Sequence, residues 1–152
     1  MRTTVLLLVT LLVGATLCFA ADPNLGTWKL NEAKSKIDAG LPKNLTVVYE
    51  TVGDSIKATV DGVDGQGKPT HSEWTGKYDG KDYAVTGDPS SDTRSLKKIG
   101  DRTLELTVKK GGKVTMSGRV VVAADGKSRT LTIKGTDAAG KKIQSTSVYD
   151  KQ

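Results

Sequence analysis

Cysteine, histidine and phenylalanine are nearly missing from this chain. There is one of each, Cys18, His71 and Phe19, among 152 residues. A single Cys and a single His exclude disulfide frameworks, most zinc sites and Cys/His catalysis. No Gly-x-Ser-x-Gly elbow occurs, and any His-based triad would depend on His71 alone, so serine nucleophiles are excluded too. Aromatic residues make up 5% and proline is rare, with four residues. Any core is therefore small and mostly aliphatic. No catalytic residue, metal ligand or cofactor motif stands out, and the chain is not expected to be an enzyme.

Long apolar runs are absent except at the start. Met1-Arg2-Thr3-Thr4 is followed by an uncharged run from Val5 to Leu17, and Cys18-Phe19-Ala20 places small residues where a signal peptidase reads. This is the pattern of a secretory signal over residues 1–20 cleaved after Ala20. The run is short for a membrane span, which needs about 20 apolar residues. Leu17 before Cys18 argues against a lipid-modified cysteine. Residues 21–152 are then one domain without cysteine, and the expected location is the periplasm or the exterior of a bacterial cell.

What is abundant is alternation. Ile56, Ala58 and Val60 alternate with Lys57, Thr59 and Asp61. Leu104, Leu106 and Val108 alternate with Glu105, Thr107 and Lys109, and Met116, Gly118, Val120 and Val122 form one face of a further run. Period two marks strands with one buried face. Gly and Asp clusters such as Asp79-Gly80, Gly111-Gly112 and Asp125-Gly126 punctuate these runs. They supply the backbone angles of tight hairpins. The pattern predicts about ten strands, near 26–30, 45–51, 55–63, 70–78, 82–86, 93–99, 102–110, 113–123, 128–136 and 142–150. Asn31, as N-cap, and Glu32 start one short helix of one or two turns, which Gly40 and Pro42 end. Consecutive hairpins favour an all-β, antiparallel up-and-down barrel of about 8–10 strands, a closed form without edges to protect. Small and polar residues, Ser72, Gly76, Gly118, Gly135, Ser145 and Ser147, share the inferred inner faces and leave room for water or a ligand.

Gly26-Thr27-Trp28-Lys29-Leu30 at the first strand and Thr146-Ser147-Val148-Tyr149-Asp150-Lys151 at the last resemble the two ends of the calycin barrels: lipocalins, fatty-acid-binding proteins and avidins. The segment from Lys77 to Gly87 resembles small exported bacterial proteins of lipocalin-like type. The resemblance implies a lipocalin-like barrel over residues 21–152 with Trp28 packed across its floor. It also has departures. The 31–43 stretch is too short for the two helices of fatty-acid-binding proteins, and Ser147 stands where their carboxylate-gripping Arg would be. The Arg that stacks on the first-strand Trp in lipocalins is not placed by the sequence. Avidins need more tryptophans than Trp28 and Trp74.

Two functions follow from this reading. The first is a binding protein for a small, mostly apolar ligand, with Trp74, Tyr78, Tyr149, Ser147 and Met116 as candidate ligand-binding residues and a cavity of at least ~300 Å³. The second is an interaction protein of the envelope with a filled barrel. Its basis is charge: residues 21–90 carry 8 basic and 11 acidic side chains, and residues 91–152 carry 14 and 6. The second half of a meander forms one wall, so Lys97, Lys98, Lys109, Lys110, Lys113, Lys141 and Lys142 are expected to make a basic flank that meets an anionic surface. Nucleic acid is not an expected partner, since no exposed aromatics interleave with the basic residues. The barrel is expected to be monomeric and not to span a membrane.

Overall fold

A computed structural model describes residues 21–136 and 139–152. The signal segment, with Cys18, and Asp137 and Ala138 lie outside the described residues. Ten strands form one closed antiparallel barrel in which each strand pairs with its neighbours in sequence and the last closes on the first. They are β1 (Gly26–Leu30), β2 (Lys43–Val52), β3 (Ser55–Val63), β4 (Pro69–Gly76), β5 (Tyr83–Thr86), β6 (Thr93–Gly100), β7 (Thr103–Lys110), β8 (Lys113–Val122), β9 (Ser128–Thr136) and β10 (Lys142–Lys151). The up-and-down barrel expected from alternation is thus observed, at the upper end of the expected strand number. No helix among the described residues is long and apolar enough to cross a membrane.

Closure is set at β1, where Trp28 pairs with Lys151 on one side and with Val47 on the other. The expected helix shrinks to one 3₁₀ turn, Glu32–Lys34. The Asn31 side chain accepts from the Lys34 N–H and donates to the Asp150 carboxylate at 2.6 Å. Beyond the cap the chain is drawn into pairing, because Lys36 exchanges backbone hydrogen bonds with Thr146 of β10. The helix therefore ends before a second turn forms.

Hairpins alternate between the two ends of the barrel. At one end lie residues 22–25, the β2–β3, β4–β5, β6–β7 and β8–β9 turns and the C-terminus. This end is the floor. At the other end lie the 31–42 connection and the β3–β4, β5–β6, β7–β8 and β9–β10 turns. This end is the mouth. The inner faces carry the core: Trp28, Val47, Tyr49, Ala58, Val60, Trp74, Leu96, Leu104, Leu106, Val108, Val120, Val122 and Tyr149. Each aliphatic side chain here contributes roughly 2 kcal/mol by leaving water.

Candidate functional site

The floor is sealed by aromatic rings around one guanidinium. Trp28 is fully buried, and its indole N–H donates to the Asn24 carbonyl at 2.8 Å. Asn24 is itself held by Asp22, which accepts from the Asn24 backbone and side-chain N–H groups. Arg129, on β9 beside Val122 of β8 and Tyr149 of β10, reaches inward to the same place. Its guanidinium lies 4.9 Å from the Trp28 ring, 4.8 Å from Tyr49 and 5.1 Å from Tyr149. Outside, the Lys151 ammonium lies 5.1 Å from the Trp28 ring. A desolvated cation over a ring contributes roughly 2 kcal/mol. The Arg129 guanidinium thus lies over the first-strand tryptophan, a placement the sequence does not reveal.

Charge and burial at this floor are unusual. Arg129 is 4% exposed, and its Nε and Nη1 are buried without a hydrogen-bond partner. No carboxylate forms an ion pair with it among the described residues. Tyr149 is buried beside it. Burial pushes the Tyr149 phenol pKa up, and the nearby guanidinium offsets this only in part. Tyr78 also places its hydroxyl in the interior without a partner in hydrogen-bond geometry. Burial pushes its pKa up strongly, with Tyr49 and Asp22 acting in the same direction. Both phenols stay protonated at neutral pH.

Above the floor the barrel is hollow. A cavity of about 100 Å³ is lined by Val47, Val60, Leu96, Leu106, Val108, Val120 and Leu131, with Tyr49, Tyr149 and Arg129 on the floor side. A second cavity of about 180 Å³ opens at the mouth between Leu41, Pro42, Thr70, Ser72, Pro89, Ile143 and Ser145. Asn44, Arg94, Met116 and Ile133 line both. Together the two fall short of the ~300 Å³ expected, the lower end for ligand pockets. The reason is the number of large side chains in the floor half. A cavity of ~150 Å³ already accepts benzene, so the space suits a molecule between one and two benzene rings in size. A larger groove of about 670 Å³ lies outside the barrel on β7–β10, lined by Glu105, Thr107, Ser117, Arg119, Thr132, Lys134 and Gln144. It is a shallow surface open to solvent, with Leu106 and Ile133 among its lining residues.

Arg94 stands where the two cavities meet. Its Nη2 lies 3.6 Å from Asp88 Oδ2, and its Nε is buried without a partner. Asp88 sits on the β5–β6 loop at the mouth and accepts from the Ser90 N–H, the Ser90 hydroxyl and the Ser91 hydroxyl. Burial alone would raise the Asp88 pKa. The serine hydrogen bonds and the Arg94 charge outweigh it and hold the carboxyl below the usual carboxylate range. A depressed carboxylate pKa stabilises the fold above the unfolded-state value of ~3.9, and that stability is lost as pH falls through the folded-state pKa. The melting temperature of the protein is thus expected to fall below about pH 4. Asp88→Asn is expected to be less stable at pH 7 and to show a flatter profile in that acid window. A parallel slope in both proteins would place the acid sensitivity elsewhere.

The five residues proposed from sequence as ligand-binding do not come together at one site. Met116 lines both cavities and Tyr149 the inner one. Ser147 is buried on the inner face but borders neither cavity. Trp74 is filled in against the wall: its indole N–H donates to the Arg94 carbonyl at 2.9 Å, and its ring meets Tyr83 edge-on at 5.9 Å. Gly76 makes that contact possible, since a Cβ there would lie 2.6 Å from both rings. Tyr78 belongs to the floor half. Trp28 is fully buried at the floor. His71 is exposed and lies 2.7 Å from Asp61, as its outward parity predicts.

The seven lysines expected as one basic flank are divided between the two ends. Lys97 and Lys98 lie toward the floor. Lys109, Lys110, Lys113, Lys141 and Lys142 lie toward the mouth. Lys109 is 2.7 Å from Asp82, and Lys110 is 2.7 Å from Asp92. The reason is the alternation of hairpins, which sends turn residues to both ends, while Lys109 reaches back along the wall to Asp82 just before β5 and Lys110 to Asp92 just before β6. The outer wall of β7–β10 between the ends is mainly Ser, Thr and Gln, with Glu105 directly opposite Arg119.

The fold and interior define a ten-stranded barrel with a sealed floor and an open, arginine-lined mouth. No family model matches the chain, and no curated protein matches it. Among solved structures it is similar to a redesigned β-barrel, mFAP1, bound to DFHBI, at 15% identity over 87% of this chain and 98% of that one, with a TM-score of 0.49. It is also similar to EF1p2_mFAP2b bound to DFHBI, at 13% identity over 88% and 97%, with a TM-score of 0.49. Likeness at this distance says nothing about what this chain binds.

Proposed function

We propose that this chain is an exported binding protein that admits a small, mostly apolar molecule through the mouth and holds it inside the barrel. The observation that carries the reading is the adjacency of the two cavities, which share Asn44, Arg94, Met116 and Ile133 in their linings. One cavity lies among the mouth loops, and the other is lined mainly by aliphatic side chains. Interior space of this kind, apolar with a few convergent polar groups, is the usual form of a ligand site. The leader-like first twenty residues support export.

Native mass spectrometry of the protein isolated from its own host's envelope tests this. The expected result is a bound small molecule that leaves on collisional activation. Met116→Trp fills the junction of the two cavities, so the same preparation of that variant is expected to carry none while melting within a few degrees of the parent. A parent protein that is empty in every preparation contradicts the proposal, as does a molecule retained equally by Met116→Trp.

A further inference from the structure

The two sides of the floor differ in charge. On the β2–β5 side the turns neutralise themselves: Lys77 donates to the Asp54 carboxylate, and the Lys81 ammonium lies 4.0 Å from Asp79. On the β6–β10 side they do not. Lys97, Lys98, Arg102 and Lys127 are exposed and form no ion pair among the described residues. Lys151 joins them, since its backbone N–H donates to the Lys127 carbonyl at 2.8 Å. The acids of these turns are Asp101 and Asp125, and the Asp125 carboxylate is taken up by the Lys127 N–H. Glu105 stands further up the wall, in register between Lys97 and Arg119. Cations are thus in excess at this side of the floor.

The same side exposes aliphatic groups. The exposed large apolar side chains among the described residues are Val52, Ile99, Val114 and Val121, and all but Val114 lie toward the floor. Ile99 is exposed because the β6–β7 register shifts between Lys98 and Gly100, which leaves it without a partner on β7. Val121 points outward between Thr103 of β7 and Thr130 of β9. The β6–β7 and β8–β9 turns form one surface. The Arg102 carbonyl accepts from the Val122 N–H at 2.9 Å, and a shallow groove of about 460 Å³ runs between Arg102, Thr103, Val121 and Ala124. A single exposed aliphatic residue needs no explanation. Two of them beside a set of unpaired cations have the make-up of an interfacial anchor.

We propose that this side of the floor docks on an anionic lipid bilayer. Lys97, Lys98, Arg102, Lys127 and Lys151 lie among the headgroups, and Ile99 and Val121 enter the boundary with the acyl chains. Basic residues near an anionic surface and aliphatic groups at the interface strengthen such docking together. A nucleic acid would call for exposed aromatic side chains among the cations, and these turns carry none. A protein partner would call for a wider apolar centre than two separate aliphatic residues. The docked barrel points its mouth away from the bilayer, so this surface is separate from the two cavities and independent of what they hold.

Co-sedimentation of the purified protein with lipid vesicles tests the docking. The vesicles are phosphatidylcholine alone or equal parts phosphatidylglycerol and phosphatidylcholine. Binding is expected to the mixed vesicles at low salt, and to be lost on phosphatidylcholine alone and in ~1 M salt, where charges are screened within about 3 Å. The double variant Lys98→Gln, Arg102→Gln is expected to bind more than about tenfold more weakly, about fivefold for each cation. Ile99→Ser is expected to weaken binding on the order of fivefold, through lost apolar contact. At the mouth, the double variant Lys113→Gln, Val114→Ser is expected to stay within about twofold of the parent. All are surface substitutions, expected to melt within a few degrees of the parent. If the first double variant does not fold, Lys97→Gln, Lys127→Gln carries the test with the same expected loss.

A parent protein that leaves the mixed vesicles unbound overturns the proposal. So does equal binding to both kinds of vesicle, or a loss that follows the mouth variant instead of the floor variants. Retention on dextran sulfate without vesicle binding would make the surface a site for a soluble polyanion and would overturn the lipid assignment.

Discussion

Replacing Trp28 with alanine is expected to destabilise the protein by about 4 kcal/mol, near the upper end for a large buried side chain. Three losses combine at this position. The indole is fully buried at the floor, so its removal leaves a hole that β1 and β10 cannot close without moving. The N–H that holds the Asn24 carbonyl goes, and with it the anchor of residues 22–25 over the barrel end. Arg129 and Lys151 both lose a ring that faces their charge. Urea denaturation followed by tyrosine and Trp74 fluorescence measures the effect. The midpoint is expected to drop with little change in slope, as for a loss of stability without a change in exposed area. A loss below about 1 kcal/mol, typical of an average substitution, would mean that the floor is not packed as described.

The second large effect is expected at Gly118. An added Cβ would lie 2.2 Å from the Thr132 carbonyl oxygen and 3.0 Å from Ile133 Cγ2. The first of these is backbone, so no rotamer change relieves it. Gly135, one step along the same pair of strands, would meet the Thr115 oxygen at 2.3 Å. The two glycines let β8 and β9 approach closely where the sheet curls into the barrel. Gly118→Ala is expected to cost about 3 kcal/mol, the upper range for overpacking. The neighbouring outward substitution Ser117→Ala is expected to stay within about 0.5 kcal/mol. Equal melting temperatures for Gly118→Ala and the parent would show that β8 and β9 are not pressed together there.

The strands were readable because each inner face repeats with period two and each turn carries Gly or Asp. For β3 and β9 the predicted limits, 55–63 and 128–136, coincide with those observed. The helix was over-read, because Asn31 and Glu32 signal a start while nothing local shows that Lys36 will pair with Thr146. The site was harder. Parity separates inside from outside but not floor from mouth. Trp74, Tyr78, Met116 and Tyr149 therefore looked equivalent in sequence although they lie at different depths. Arg129 shares the parity of Leu131 and Ile133, and Arg94 that of Leu96, so both arginines were on inner faces by the same rule that found the core. They escaped notice because a charged residue at a strand end is ordinarily solvated. The pairing of Lys109 with Asp82 and of Lys110 with Asp92 joins β7 to residues 27 and 18 positions away in sequence, which counting charge by halves of the chain could not reveal.

The binding space we propose is the barrel interior. Residues 21–152 contain one methionine, Met116, which lines both cavities. A protein labelled with ¹³C at the methionine methyl therefore gives a single interior reporter in that region. On titration with 1-hexanol the Met116 methyl resonance is expected to move in a saturable way, with the same dissociation constant as calorimetry gives. A Met116 methyl that stays in place while calorimetry registers binding would put the ligand outside the barrel and contradict the account.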